Sequence, residues 1–337
     1  MSTADHRGNN FDLLRLLLAA AVIFAHCPEI TDGDKHREPL TAAFGTITLA
    51  DLAVDGFFIL SGYLILQSWD RSPRLASFGR KRALRIVPGF VVASLLSALV
   101  VGPLGSDPAT YFAGFNPVAY LRSMALFEPP EVPPVFAGQP WPAVNGPLWT
   151  IGYEVRCYLL VAALGCTGLA RRWVWLPLTL AVVAVSVIPG LDARVYFPGS
   201  WLVLGSPVAF FRLVALFGAG GCFYLLRGVI PLTRWGAILA AVGLVAGLAG
   251  TKETAQIAPC TAGAYLLLWA AFHTRPVRLK HDISYGLYLY GWPVQKLIAW
   301  YVPGISPWAL VVPSLAGAAL CGWASWRLVE RPFLRLK

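Results

Sequence analysis

The 337-residue sequence predicts an all-α fold, a polytopic transmembrane helical bundle of about ten spans with both termini in the cytoplasm. Three observations predict it. Hydrophobic residues make up 57% of the chain and Asp, Glu, Lys and Arg only 13%, against roughly 25% charged in an ordinary soluble domain. So few charges could not cover a soluble fold of this size, which excludes a soluble enzyme, a disordered chain and a nucleic-acid-binding domain. Second, apolar stretches recur at the length of about 20 residues that a helix needs to cross a bilayer. Third, the net charge of +10 comes from basic residues spread thinly beside those stretches, where they orient a membrane protein.

Reading along the chain, candidate spans lie near 11–27, 46–69, 84–104, 146–168, 173–189, 205–226, 235–250, 257–273, 283–301 and 307–328. Repeats and low-complexity tracts are absent, so one integral domain over 1–337 with no appended soluble domain is expected. Residues 16–25 are short enough for a signal-peptide core, but Asp12 and Arg15 intrude on it. His26 also stands where lipoprotein cleavage before Cys27 wants a small residue, so a retained helix is expected. Seventeen basic residues fall on one side of these spans, from Arg7 and Arg71 through Arg171, Arg234 and Arg278 to Lys337. The other side carries five: Lys35, Arg37, Arg122, Arg194 and Lys252. That asymmetry predicts a multi-pass protein of the inner (plasma) membrane with cytoplasmic termini. The loop 105–144, then extracytoplasmic, holds eight prolines with Tyr111, Phe115 and Trp141. Long loops of this kind serve as lids, binding loops or disordered linkers, and the aromatics favour a packed loop over a floppy one.

The six cysteines show no CxxC spacing and the five histidines no paired spacing. Neither a disulfide framework, a metal site nor a permanently bound cofactor is expected.

An ionisable side chain at mid-membrane costs about 3 kcal/mol, so each one is a functional candidate. Here they are Arg15, His26, Asp51, Asp55, Arg85, Glu154, Arg156, Arg212 and Lys296. Arg15 and His26 are eleven residues apart, within about 20° of the same helical face and about 16 Å apart along the axis. Asp12 stands three residues before Arg15, in reach of an intrahelical ion pair. Asp51, Asp55 and Gly62 share one stripe of the second span. Gly56 and the Ser61-Gly62 pair admit close approach of either another backbone or a thin ligand. Glu154 and Arg156 point in different directions, so Glu154 wants a partner on another helix, His26 or an arginine.

The strings FDLLRLLLAAAVIFAH, VDGFFILSGYLI, RKRALRIVPGF, GPLWTIGYEVRCYLL, ISYGLYLYGWPV and VERPF occur in this order over essentially the whole chain. Together they resemble acyltransferase family three, integral membrane enzymes of ten core helices. The resemblance implies O-acylation, usually O-acetylation, of sugars on polysaccharides, lipopolysaccharides, glycolipids or small molecules, with cytoplasmic acyl-CoA as donor. The family's Arg-x10-His signature falls on Arg15 and His26, its second-span aspartate on Asp55 and its Ser-Gly on Ser61-Gly62. Its arginines before the third span fall on Arg82 and Arg85. Its Trp and Glu of the fourth span fall on Trp149 and Glu154, and its Ser-Tyr of the ninth on Ser284-Tyr285. One position departs. Many members carry a histidine before the Trp-Pro of the ninth span, whereas this chain reads Tyr290-Gly291-Trp292-Pro293. An additional esterase-like domain, present in some members, is not expected after VERPF.

Acyl transfer to a hydroxyl needs a general base and an activated donor. His26 is the expected base, because imidazole titrates near neutrality, with Glu154 or Asp55 expected to orient it. Arg15, Arg82 and Arg85 are expected to hold the phosphates of the co-substrate acetyl-CoA, with Ser61 and Gly62 beside its arm. Trp149, Tyr153 and Tyr285 are the expected acceptor-binding residues. The partners are thus acyl-CoA, a sugar or glycolipid acceptor and the lipid bilayer, with no nucleic acid. The rival reading is a proton-coupled transporter or flippase that uses the buried charges as a pathway.

Overall fold

The computed structural model describes residues 8–188 and 205–336, and every regular element among them is helical. Arg7, Arg194 and Lys337 of the charge count, His6, and the end of the predicted fifth span lie outside the described residues.

Each of the ten predicted ranges carries a helix, and six of these helices are long and apolar enough to cross a membrane. These six are α1 (Phe11–Asp32), α3 (Leu49–Arg71), α4 (Leu75–Leu104), α9 (Pro207–Leu225), α11 (Lys252–His273) and α13 (Pro307–Leu334). The others are α7 (Trp149–Cys166), α8 (Arg172–Ser186), α10 (Arg234–Ala249) and α12 (Ser284–Tyr301). Short helices α2 (Pro39–Phe44), α5 (Pro108–Gly114) and α6 (Pro117–Ala125) lie in the connections.

The first helix runs five residues beyond its predicted end at 27. It passes through Pro28 and stops at Gly33, whose φ of 72° lets its N–H cap the Glu29 carbonyl in the left-handed conformation that glycine adopts without penalty. At the start of α3, Thr48 accepts the Asp51 N–H at 2.9 Å, which satisfies a donor that the helix cannot.

At the centre, α3 packs on α1, α7 and α9. Glycines set the closest crossing: a Cβ at Gly62 would collide with the Phe217 carbonyl, and one at Gly220 with the Ile59 carbonyl. Such contacts let backbones meet where helices have no water to exclude. The 105–144 segment does pack: Tyr111 and Phe136 are buried with Val101, Val135 and Val144, and Tyr111 donates to the Ala98 carbonyl at 2.7 Å.

Loops collect at two ends. At one, Asn10 donates to the Thr274 hydroxyl at 2.6 Å and accepts from the Val277 N–H at 2.8 Å, and Arg80 donates to the Leu336 carbonyl at 2.5 Å. At the other, Thr46 donates to the Leu248 carbonyl at 2.6 Å and Tyr301 to the Leu104 carbonyl at 2.9 Å.

Candidate active site

Near the Arg15 end of α1, a cavity of about 880 Å³, mouth included, opens between α1, α3, α4, α7 and α12. It gathers six of the residues expected from sequence: Arg15, Ser61, Arg82, Arg85, Glu154 and Tyr285.

Positive charge dominates its lining. Arg85 is held by Asp282 at 2.7 Å, and Arg15 lies 2.9 Å from Asp12 and 4.0 Å from Asp282. Among the described residues Arg82 makes no hydrogen bond or ion pair, and the buried Nε atoms of Arg15 and Arg82 both lack an acceptor. Buried donors rarely stay unpaired, so three guanidiniums facing one space, two of them with an Nε–H to spare, suit an anionic ligand. Burial opposes the charge of Asp282, but Arg85 and then Arg15, with the Ser284 hydroxyl, hold its carboxyl well below the usual carboxylate range. It stays ionised and keeps two arginines aimed.

On the opposite wall, Glu154 accepts from the Tyr158 hydroxyl at 2.5 Å and the Ser61 hydroxyl at 3.2 Å. Tyr158 is four residues beyond Glu154, a spacing that puts both on one face. Tyr285 donates to the Ile86 carbonyl at 3.0 Å and fills the space beside Gly89.

His26 lies elsewhere, farther along α1. Its Nδ1 stands 2.9 Å from Oε2 of Glu29, and its ring meets Trp292 edge-on at 5.0 Å between centroids. Lys35 approaches the other Glu29 oxygen at 3.3 Å. Glu154 and Asp55 were the expected orienting groups, and neither touches it. The nearer carboxylate is Glu29, one turn along the same helix.

Asp55 is claimed by another partner. With 2% of its surface exposed, it accepts from Arg212 of α9 at 2.6 Å, while Asp51 accepts from the same guanidinium at 3.1 Å. This triad closes the α3–α9 seam and is not part of the lining of the arginine cavity, so the Asp55 carboxylate is engaged as an ion partner of Arg212 rather than placed beside His26. Gly62 is likewise corrected: the backbone of Phe217 fills the space expected for a donor's arm. Tyr153 is buried with its hydroxyl accepting the Ser206 N–H at 2.7 Å, and Trp149 packs against it at 5.5 Å. Neither lines the cavity.

Sequence reasoning missed Glu29, Tyr158 and Asp282. The first two sit three and four residues from singled-out side chains, a signal that was available. Asp282 meets Arg85 across 197 positions, and nothing local announces that.

The family model described as an acyltransferase domain matches residues 9–327. The chain is 27% identical over 341 residues to the O-acetyl transferase of Shigella phage Sf6, covering 98% of this chain and 97% of that protein. It is 29% identical over 367 residues to Nodulation protein 10 of Rhizobium leguminosarum bv. viciae, covering 99% and 95%. No solved structure matches.

Proposed function

The chain belongs to this acyltransferase family, and on that premise we propose an acetyl-CoA-dependent O-acetyltransferase of the inner membrane acting on a cell-surface or exported sugar. The protein would cross the membrane ten times with both termini in the cytoplasm. The phage relative, by its name an O-acetyl transferase, supports O-acyl transfer as the reaction type.

The observation that carries the donor's place is the convergence of Arg15, Arg82 and Arg85 on one cavity, with the Nε donors of Arg15 and Arg82 unpaired. It sits at the end where the basic loops gather, which the charge asymmetry assigns to the cytoplasm. The phosphates of acyl-CoA bind these guanidiniums. The thin pantetheine arm then runs past Ser61, Glu154 and Tyr285 towards His26, about 16 Å further along the axis of α1; Tyr285, expected at the acceptor, shares the arginine cavity and so falls on the donor's path.

At that end His26 acts as general base. With Nδ1–H donating to Glu29, Nε2 is the basic nitrogen, and the carboxylate stabilises the imidazolium that forms. The sugar hydroxyl gives its proton to Nε2 as its oxygen bonds to the thioester carbonyl carbon. The carbon–sulfur bond then breaks, and the departing CoA sulfur takes the proton from the imidazolium. The two products are the O-acyl sugar and CoA.

Incubating membranes that contain the protein with acetyl-labelled acetyl-CoA tests the proposal. Label should pass to carbohydrate, or the donor should be slowly hydrolysed. A transporter would do neither, and that result would return the buried charges to a transport pathway.

A further inference from the structure

A second cavity, about 900 Å³ with its opening, lies at the opposite end of the bundle. Ile30 and Thr31 of α1, Ala299 and Trp300 of α12, and residues 137–140 of the long loop form its walls. We propose that it is the acceptor subsite, and that it binds a pyranose ring. The inference rests on the O-acyltransferase reading and adds to it where the sugar sits.

The loop wall is held in a costly shape. Phe136 and Trp141, which bracket it, have φ of 53° and 50°, and Gly138 between them has 81°. A non-glycine residue adopts this left-handed region only where its surroundings enforce it. Phe136 is fully buried and packs against Trp300 at 5.8 Å. Lys296, also fully buried, donates to the Pro140 carbonyl at 2.8 Å and sits 5.0 Å over the Phe136 ring. Trp292 donates to the Ala143 carbonyl at 2.8 Å. A cation buried inside a membrane bundle is expensive, and here it pins a loop carbonyl. The wall is built to keep its shape.

The chemistry of the lining suits a sugar. Trp300 offers an aromatic surface for the C–H face of a pyranose, with hydrogen-bonding groups at its rim. Thr31 supplies a hydroxyl. Gln139 carries a buried side-chain oxygen with no donor, the kind of acceptor that a ring hydroxyl satisfies. Ile30 is one turn beyond His26, about 6 Å along the helix, so a ring held in the cavity presents its hydroxyls near the proposed base.

Saturation-transfer NMR on the full-length protein in lipid nanodiscs, with the methyl β-pyranosides of glucose, galactose and N-acetylglucosamine as probes, tests the proposal. Ring protons of at least one probe should receive saturation from the parent. Trp300→Ala and Gln139→Ala should each weaken that binding about tenfold or more, and Trp300→Phe should retain it. Binding of acetyl-CoA at the far arginine cavity should be unchanged in all three variants, and parental thermal unfolding certifies their folding. Saturation absent from every probe, or undiminished in both alanine variants, overturns the subsite. Absence of both acetyl transfer and acetyl-CoA hydrolysis in the parent would instead count against the acyltransferase reading and leave pyranoside binding standing.

Discussion

The Glu29 carboxylate stands 2.9 Å from Nδ1 of His26, three residues further along the same helix, and a lysine braces its other oxygen. A carboxylate so placed selects the Nδ1–H tautomer and leaves Nε2 free to accept a proton. His26→Gln should therefore keep acetyl-CoA binding but lower transfer by at least about 10²-fold, the lower range for losing a positioned base. Glu29→Gln should lower transfer by about 10- to 150-fold, the loss of one charge-assisted hydrogen bond. The measurement is initial transfer rate per folded protein, with donor binding in parallel. Near-parental turnover in His26→Gln would move the base elsewhere, with Glu154 next to test.

Arg82 and Arg85 should separate in their effects. Both line the cavity, but among the described residues Arg82 makes no hydrogen bond or ion pair, whereas Arg85 holds Asp282 at 2.7 Å. Arg82→Ala should raise the acetyl-CoA requirement by about 10- to 150-fold and leave thermal stability unchanged. Arg85→Ala should also weaken donor binding, and it should cost about 1–3 kcal/mol of stability, because Asp282 loses its closest partner and keeps only the Ser284 hydroxyl at 2.6 Å and Arg15 at 4.0 Å. Donor titrations beside thermal unfolding in detergent distinguish the two. Equal destabilisation by both would contradict the pairing.

The same Asp282 carries a pH expectation. Its carboxyl is held below the ordinary range, so its pairing is fully present above the unfolded value near pH 4. It is lost only as the pH falls further, through the folded value. Between pH 5 and 8 the stability difference between parent and Asp282→Asn should be flat. A difference that grows across that window would mean that Asp282 titrates there.

Gly62→Ala tests packing against ligand binding. The added methyl meets the Phe217 carbonyl, so α3 and α9 must separate, at about 1–3 kcal/mol for an overpacked core. Stability should fall and the donor requirement per folded protein should hold. A raised donor requirement with intact stability would restore Gly62 to the donor's path.

Arg212→Ala should be among the most damaging single changes. It strands Asp55, which is 2% exposed, and removes the partner of Asp51, at about 3–5 kcal/mol for a broken buried pair. Unfolding in detergent measures this. Unchanged stability would mean that the triad contributes nothing to the seam.

A reporter fused near Gly138 should score as external. An internal signal would reverse the orientation drawn from the basic residues and remove the pyranose cavity from the acceptor's side.

The sequence by itself determined where the helices run, because a helix that crosses a bilayer needs an uninterrupted apolar stretch of fixed length. It also made legible every contact along one helix, including Asp12 with Arg15 at 2.9 Å, because the helical repeat is known in advance. His26 with Glu29, three residues apart at 2.9 Å, belongs to that class. What the tertiary structure alone decided is which faces meet. Apolar side chains surround these helices on all sides, so no amphipathic pattern says which face turns inward. Asp55 could have faced His26 as well as Arg212, and only the α3–α9 crossing, made close by Gly62 and Gly220, chose Arg212. Asp282 with Arg85, and Ser61 with Glu154, were settled in the same way, by packing between helices distant in sequence.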